Sequence, residues 1–240
     1  GGVDSSIIAF AASRQRKFDT FSIGFKNDGI FDESDEAREI ARFLGTNHHE
    51  IEISDKELLE GLEMMDKNLD EPFADSSAIA VNALSKFTKN HVTVALSGDG
   101  ADELFSGYNK HEALFRSMNG GLSTSAMKVA APVLKRLSKN RDSRIGNIAR
   151  KAEKFDKGMN LDLQQRYLEW AKFTDQETVA AVCLQFREIP TIEYLGDITN
   201  FNDILLQDFH QVLLNDMLRK VDSMSMMNSL EVRTPFLDHT

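Results

Sequence analysis

The hydrophobic positions of this chain change period several times, and those changes divide it into elements. Residues 91–96, HVTVAL, are a short β-branched apolar run suited to a parallel strand covered on both faces. The run passes directly into Ser97, Gly98, Asp99, Gly100 and Asp102, and DELFSGY then starts an amphipathic helix. Upstream, residues 19–25 (DTFSIGF) and 49–53 (HEIEI) alternate and predict two more strands. Between them, residues 26–32 read as a loop, and residues 33–45 as a helix with acids in its first turn and Gly45 as its stop. Residues 54–67 predict a helix opened by a capping box of Ser54 and Glu57, residues 68–77 an acidic loop containing Pro72, and residues 78–89 another helix. At the start, Ile7, Ile8, Phe10, Ala11 and Ala12 fit the buried face of a first helix. Three strands separated by helices imply right-handed crossovers and a parallel sheet.

After Tyr108 the pattern changes. Residues 110–188 read as mostly helical, broken at Gly120, Gly121 and Pro132. Within them, KVAAPVLKRL is basic and amphipathic, and Trp170 and Phe173 mark the core of a subdomain. Helices are expected at residues 203–219 and 224–230, with Met217, Met224, Met226 and Met227 filling irregular packing, before the chain closes on EVRTPFLD. The expected division is a nucleotide-binding α/β core over residues 1–110 and a mostly helical part over residues 111–240.

Composition narrows the picture. The chain has 240 residues, 41% of them hydrophobic, which is enough for a sizeable core, and a net charge of −10 argues against a nonspecific nucleic-acid surface. The single cysteine, Cys183, fits a reducing compartment and reads as a small buried hydrophobe. No apolar run is long enough to span a membrane, so the expected location is the cytoplasm, with no membrane partner. His48 and His49 invite a metal reading, but no third ligand stands at a suitable spacing, and they read as polar residues entering a strand. The opening on Gly1 and Gly2 without an initiator Met reads as a piece of a longer protein whose first strand lies upstream.

Two stretches carry candidate chemistry. GGVDSS places two glycines, Ser5 and Ser6 at a helix N-terminus, where free N–H groups and hydroxyls favour an anion; an ordinary tight turn with Asp4 or Ser5 as N-cap is the alternative. LSGDGADE occupies a second strand-to-helix junction. In a doubly wound sheet both loops face the crevice at the switch point, where phosphates meet amides and Mg bridges to Asp4 and Asp102.

GGVDSS resembles the pyrophosphate loop SGGxDSS of the N-type ATP pyrophosphatases, lacking its leading Ser. LSGDGADELFSGY, DEPFADSSA and SMSMMNSLEVRTPFLDH, taken in that family's order, are similar to the synthetase domain of the glutamine-dependent asparagine synthetases. The resemblance implies a doubly wound parallel sheet of the adenine nucleotide α-hydrolase-like type. It implies that aspartate, ATP and ammonia react through β-aspartyl-AMP, with pyrophosphate and then AMP leaving. Gly1, Gly2, Asp4, Ser5 and Ser6 would bind pyrophosphate, Ile23, Ser97 and Gly98 the adenosine side, and Asp4 and Asp102 Mg. Asp99 would serve adenylate formation with Glu103 beside it, and Asp75, Ser76, Ser77, Glu231 and Arg233 would face the substrate. The family's catalytic lysine beyond PFLD and its N-terminal glutaminase are absent from this chain, so the fragment alone is expected to be inactive. Ser223 stands where many relatives carry a basic residue. The family also brings a homodimer into view. Amidation or cyclisation of another carboxylate, and a noncatalytic nucleotide-binding module, are the competing readings.

Overall fold

The structure, a computed structural model, describes residues 2–25, 32–71, 73–120, 144–172, 174, 176–183 and 196–239, without the side chains of 144, 145, 147 and 176. The chain forms two compact units, residues 1–101 with 209–240, and residues 102–208. The closing stretch, residues 209–240, groups with the first unit.

In the first unit, α1 (Val3–Ser13) is followed by β1 (Asp19–Phe25), α2 (Ser34–Leu44), β2 (Asn47–Ile53), α3 (Asp55–Asn68), α4 (Ser77–Thr88) and β3 (Val94–Leu96). Local signals set the helix ends. Gly45 takes the left-handed conformation (φ 68°) that closes α2, and the Ser54–Glu57 capping box opens α3 as expected. β1 and β2 pair in parallel from Asp19 opposite Asn47 to Phe25 opposite Ile53, with α2 as the crossover.

β3 is shorter than the expected run because the amides of His91 and Val92 both turn back to the Thr88 carbonyl at the end of α4. Its parallel partner is β4 (Glu231–Arg233), a strand too short to show a period in the sequence. The described strands therefore make two small parallel sheets, β1–β2 and β3–β4, in a helix-rich α/β fold rather than one three-stranded sheet. Nor is β3 covered on both faces: Val94 is 40% and Leu96 52% exposed. No residue of α1 is buried either, contrary to the expected apolar face, because α2 is the main element packed against that helix.

The first unit returns through a π-helical segment (Phe209–Met217), a helix (Leu218–Met226), β4 and a 3₁₀ turn (Pro235–Leu237). Helix therefore stops at Met226 instead of Leu230, and Ser229, at φ 55°, turns the chain into β4. Met224 packs with Met65 and Ala78 as a core methionine should, whereas Met226 is exposed.

The second unit begins with α5 (Ala101–Phe105, its first residue still in the first unit) and α6 (Asn109–Asn119). It continues with α7 (Arg144–Met159), α8 (Leu163–Ala171), α9 (Gln176–Val182) and α10 (Phe201–Asp208). Its core gathers Leu114, Met159, Tyr167, Trp170, Ile198 and Ile204, with Phe155 stacked on Trp170 at 5.4 Å. Trp170 is core as expected; Phe173 and the whole of KVAAPVLKRL, Pro132 included, lie outside the described residues. Cys183 is exposed rather than buried, since it follows a short helix whose last residue, Val182, is itself exposed. No described helix is long and apolar enough to cross a membrane.

The capping box gives a direct check. Replacing Ser54 by Ala removes the hydroxyl that accepts from the Glu57 amide. We expect a loss of about 1 kcal/mol in denaturant unfolding of this chain.

Candidate functional site

Glycines at close approaches bring three separate stretches together in the first unit. A Cβ on Gly98 would lie 2.7 Å from the Ser5 amide nitrogen and 2.9 Å from the Asp4 Cβ, so LSGDG lies directly against the first turn of α1. Gly100, at φ 92°, turns the same loop onto Leu237: a Cβ there would come within 2.5 Å of the leucine Cδ2. β4 completes the arrangement, because the Ser97 amide extends the β3–β4 ladder by donating to the Arg233 carbonyl at 3.0 Å. Thus GGVDSS, LSGDG and EVRTPFL meet, although 130 residues of sequence separate the second from the third.

At the start of α1 the N-cap is Gly2, with no side chain capping it. Neither Asp4 nor Ser5 is the N-cap. The Ser5 and Ser6 hydroxyls donate to the Gly2 carbonyl at 3.2 and 2.7 Å, so the donors facing out from this terminus are the backbone N–H groups of the first turn. With the positive end of the helix dipole they suit an anion. Gly1 lies outside the described residues. In the facing loop, the Ser97 Oγ is shielded from solvent and has no hydrogen-bond partner among the described residues. A buried polar atom left in that state costs free energy until something bonds to it. Asp99 is half-buried in the same loop, and Ile23 half-buried in β1 opposite Ile51.

The acidic loop before α4 is organised by a residue that the sequence reading did not select. Lys220, 7% exposed, donates to the Asp75 Oδ2 at 2.7 Å and to the Ser77 Oγ at 2.9 Å. Ser77 also donates to Asp75 through its amide and its hydroxyl, both at 2.9 Å. Burial works to raise the Asp75 carboxyl, but these hydrogen bonds and the ammonium outweigh it and hold the group below the usual Asp range. Ser76 is exposed beside them. Lys220 was detectable: it stands three residues after Met217 and four before Met224, on an apolar stripe where lysine is rare unless paired. Glu231 and Arg233 are exposed and pair with each other at 2.7 Å.

In the second unit, Asp102 and Glu103 open α5. A Cβ on Gly107 would run into the Asp102 carboxylate, and the Gly107 amide donates to the Asp102 carbonyl at 3.0 Å. Glu103 is 2% exposed, and its Oε1 accepts from the Tyr108 hydroxyl at 2.5 Å. His48 and His49 are both occupied across the β1–β2 pair, His48 with the Thr20 and Ser22 hydroxyls and His49 with Asp19 at 2.8 Å. Among the described residues, no group of three or more His, Cys, Asp or Glu is placed to hold a metal.

Two tests follow from this geometry. Gly98→Ala forces a methyl against backbone, and we expect faster amide hydrogen exchange over residues 2–6 with a loss of roughly 1–3 kcal/mol. Lys220→Met leaves the half-buried Asp75 without its cation, and we expect a loss of roughly 1–3 kcal/mol at pH 7. Asp75 has a depressed carboxyl in the folded protein, so its stabilisation is present above the unfolded Asp value and is lost as pH falls through the folded one. The gap between wild type and variant should therefore close in urea titrations below about pH 4.

Comparison with known proteins gives this arrangement a family. The chain is 35% identical to asparagine synthetase [glutamine-hydrolyzing] 1 of Bacillus subtilis, an alignment covering 99% of this chain and 38% of that protein. It is 31% identical to a putative asparagine synthetase [glutamine-hydrolyzing] of Mycobacterium tuberculosis, covering 99% of this chain and 36% of the relative. A third match, 36% identical over 46% of this chain, is a putative asparagine synthetase [glutamine-hydrolyzing] 2 of Methanocaldococcus jannaschii. The chain thus spans little more than a third of the length of the first two. The family model for asparagine synthase matches residues 1–240, and the chain belongs to that family.

Proposed function

We propose that the protein to which this chain belongs amidates aspartate to asparagine at the expense of ATP. The aspartate β-carboxylate attacks the α-phosphate and expels pyrophosphate. Ammonia then attacks the acyl carbon of β-aspartyl-AMP and expels AMP. The observation that carries the reading is the contact between Gly98 and the Ser5 amide, which joins an anion-favouring helix terminus to a loop whose shielded Ser97 hydroxyl has no hydrogen-bond partner among the described residues. Pyrophosphate needs donors that strengthen as charge builds on it, and the backbone amides of the Gly1–Gly2 turn and of the first turn of α1 would supply them. Ile23, Ser97 and Gly98 take the adenosine side, and Asp99 serves adenylate formation. The Asp75–Ser77 segment, fixed by Lys220, takes part in choosing the acceptor, with Glu231 and Arg233 contributing at the end of β4.

Mg belongs to the proposal through Asp4 and Asp102, on sequence grounds. Since no three carboxylate or imidazole ligands meet at one point among the described residues, a divalent ion held there would take phosphate oxygens and water into its shell, as Mg usually does. It would offset the charge of the departing pyrophosphate. The finer fold belongs here too: both strand pairs are parallel, and we assign them to one doubly wound sheet of the ATP pyrophosphatase type in the intact protein, with residues 1–110 as its nucleotide-binding part. Ammonia would come from glutamine hydrolysed by a glutaminase domain outside this chain.

The test uses the full-length protein with ATP, ammonium and aspartate labelled with ¹⁸O in its β-carboxylate. Formation of asparagine with label transferred to AMP is the expected result; release of ADP and phosphate, or no dependence on aspartate across a panel of carboxylates, would overturn the proposal. Asp99→Asn should lower turnover about 100-fold while the protein remains folded.

A further inference from the structure

A chain of buried and half-buried polar groups in the second unit leads from Glu103 to its last residue. Asp208 is fully buried, and three groups converge on its carboxylate. The His111 Nε2 lies 2.6 Å from Oδ2, the Lys110 Nζ 2.7 Å from Oδ2, and the Tyr167 hydroxyl donates to Oδ1 at 2.5 Å. Lys110 and His111 in turn flank Tyr108. The Lys110 ammonium lies over its ring at 5.2 Å, and the His111 ring is 5.3 Å away. The Tyr108 hydroxyl then donates to Glu103, which is next to Asp102 on α5. Ser106, at φ 66°, makes the turn that folds Tyr108 back over α5, and Gly107 gives it room against Asp102.

The energetics are unusual for a merely stabilising cluster. Burial alone would raise the Asp208 carboxyl, yet the His111 bond, the Lys110 charge and the Tyr167 bond hold it below the usual Asp range. The Nδ1 of the fully buried His111 has no hydrogen-bond partner among the described residues. Packed apolar groups of the same volume hold a helix pair together at no such cost. What a hydrogen-bonded polar chain adds is a fixed geometry.

We infer that Asp208 and Glu103 are positioning residues: through Tyr108, Lys110 and His111 they fix the start of α5 and so the placement of Asp102. Glu103 is enclosed and engaged by Tyr108, so it acts on the site through its neighbour and not by touching substrate. The inference rests on the proposed synthetase reading for what Asp102 does, but not for how α5 is held.

The test uses the full-length protein and its Asp208→Asn, Tyr108→Phe and double variants, with thermal unfolding recorded for each. Hydrogen exchange over residues 101–108 should quicken at least 10-fold in both single variants, and unchanged exchange there would overturn the inference whether or not the synthetase reading stands. In aspartate-dependent pyrophosphate release, kcat should fall at least 10-fold with the ATP KM within 3-fold of wild type. The double variant should be no worse than the poorer single one. Multiplying effects, or a lowered melting temperature with kcat intact, would overturn it. Should Asp208→Asn not fold, Tyr108→Phe, which removes one hydroxyl, decides by the same exchange and kinetic readouts. If wild type releases no pyrophosphate, the function proposal fails and exchange alone judges the positioning.

Discussion

The first unit depends on one parallel pairing, β3 with β4. Three residues of each strand are joined, and the ladder continues one step further through the Ser97 amide and the Arg233 carbonyl. The pairing places the loop after β3 beside the turn after β4, so that Gly100 meets Leu237. Gly98, two residues earlier, then reaches the first turn of α1. Neither approach tolerates a Cβ without movement. The two glycines are therefore required for different reasons, one because its backbone conformation and a leucine exclude a side chain, the other because backbone lies against it.

Much of this was legible along the chain where the physics is local. Gly45 ends α2 and the Ser54–Glu57 box opens α3 because cap chemistry depends on a handful of neighbouring residues. The motif loops were legible for the same reason, and a strand-to-helix junction rich in glycine and acids announces itself. The misses have a common cause in partners distant in sequence. β4 is three residues long and exists because β3 lies beside it. The extent of β3 depended on where α4 finished its last turn, which took the amides of His91 and Val92. Ile7 and Phe10 have the spacing of a buried face, but spacing cannot say whether another element arrives to cover it.

Lys220 and Asp208 illustrate the same limit for the site. Each is a buried charge with partners about a hundred or more residues away, at Asp75 and Ser77 for one and at Lys110 and His111 for the other. Periodicity places both on helices, and Lys220 can be noticed as a charge on an apolar stripe. Its bonding to the acidic loop before α4 follows only from the fold. Asp208 stands at the end of a helical segment with nothing in its immediate sequence to mark it as the centre of a network.

A pair of this kind is a costly way to gain stability, because desolvating a carboxylate and an ammonium can exceed what their attraction returns. It is an effective way to exclude alternatives. A leucine in place of Lys220 could settle against Met217 and Met224 in several rotamers, whereas the ammonium is constrained by Asp75 and Ser77 together. The Asp75–Ser77 turn and the helix bearing Lys220 are then held in a single relation, and that helix leads through Ser229 into β4. The loop before α4 and the pairing of β3 with β4 are thus joined by one short path of residues. A change at Lys220 should consequently reach Arg233 and Leu237 as well as Asp75, which makes the buried cation part of the same constraint as the two glycines.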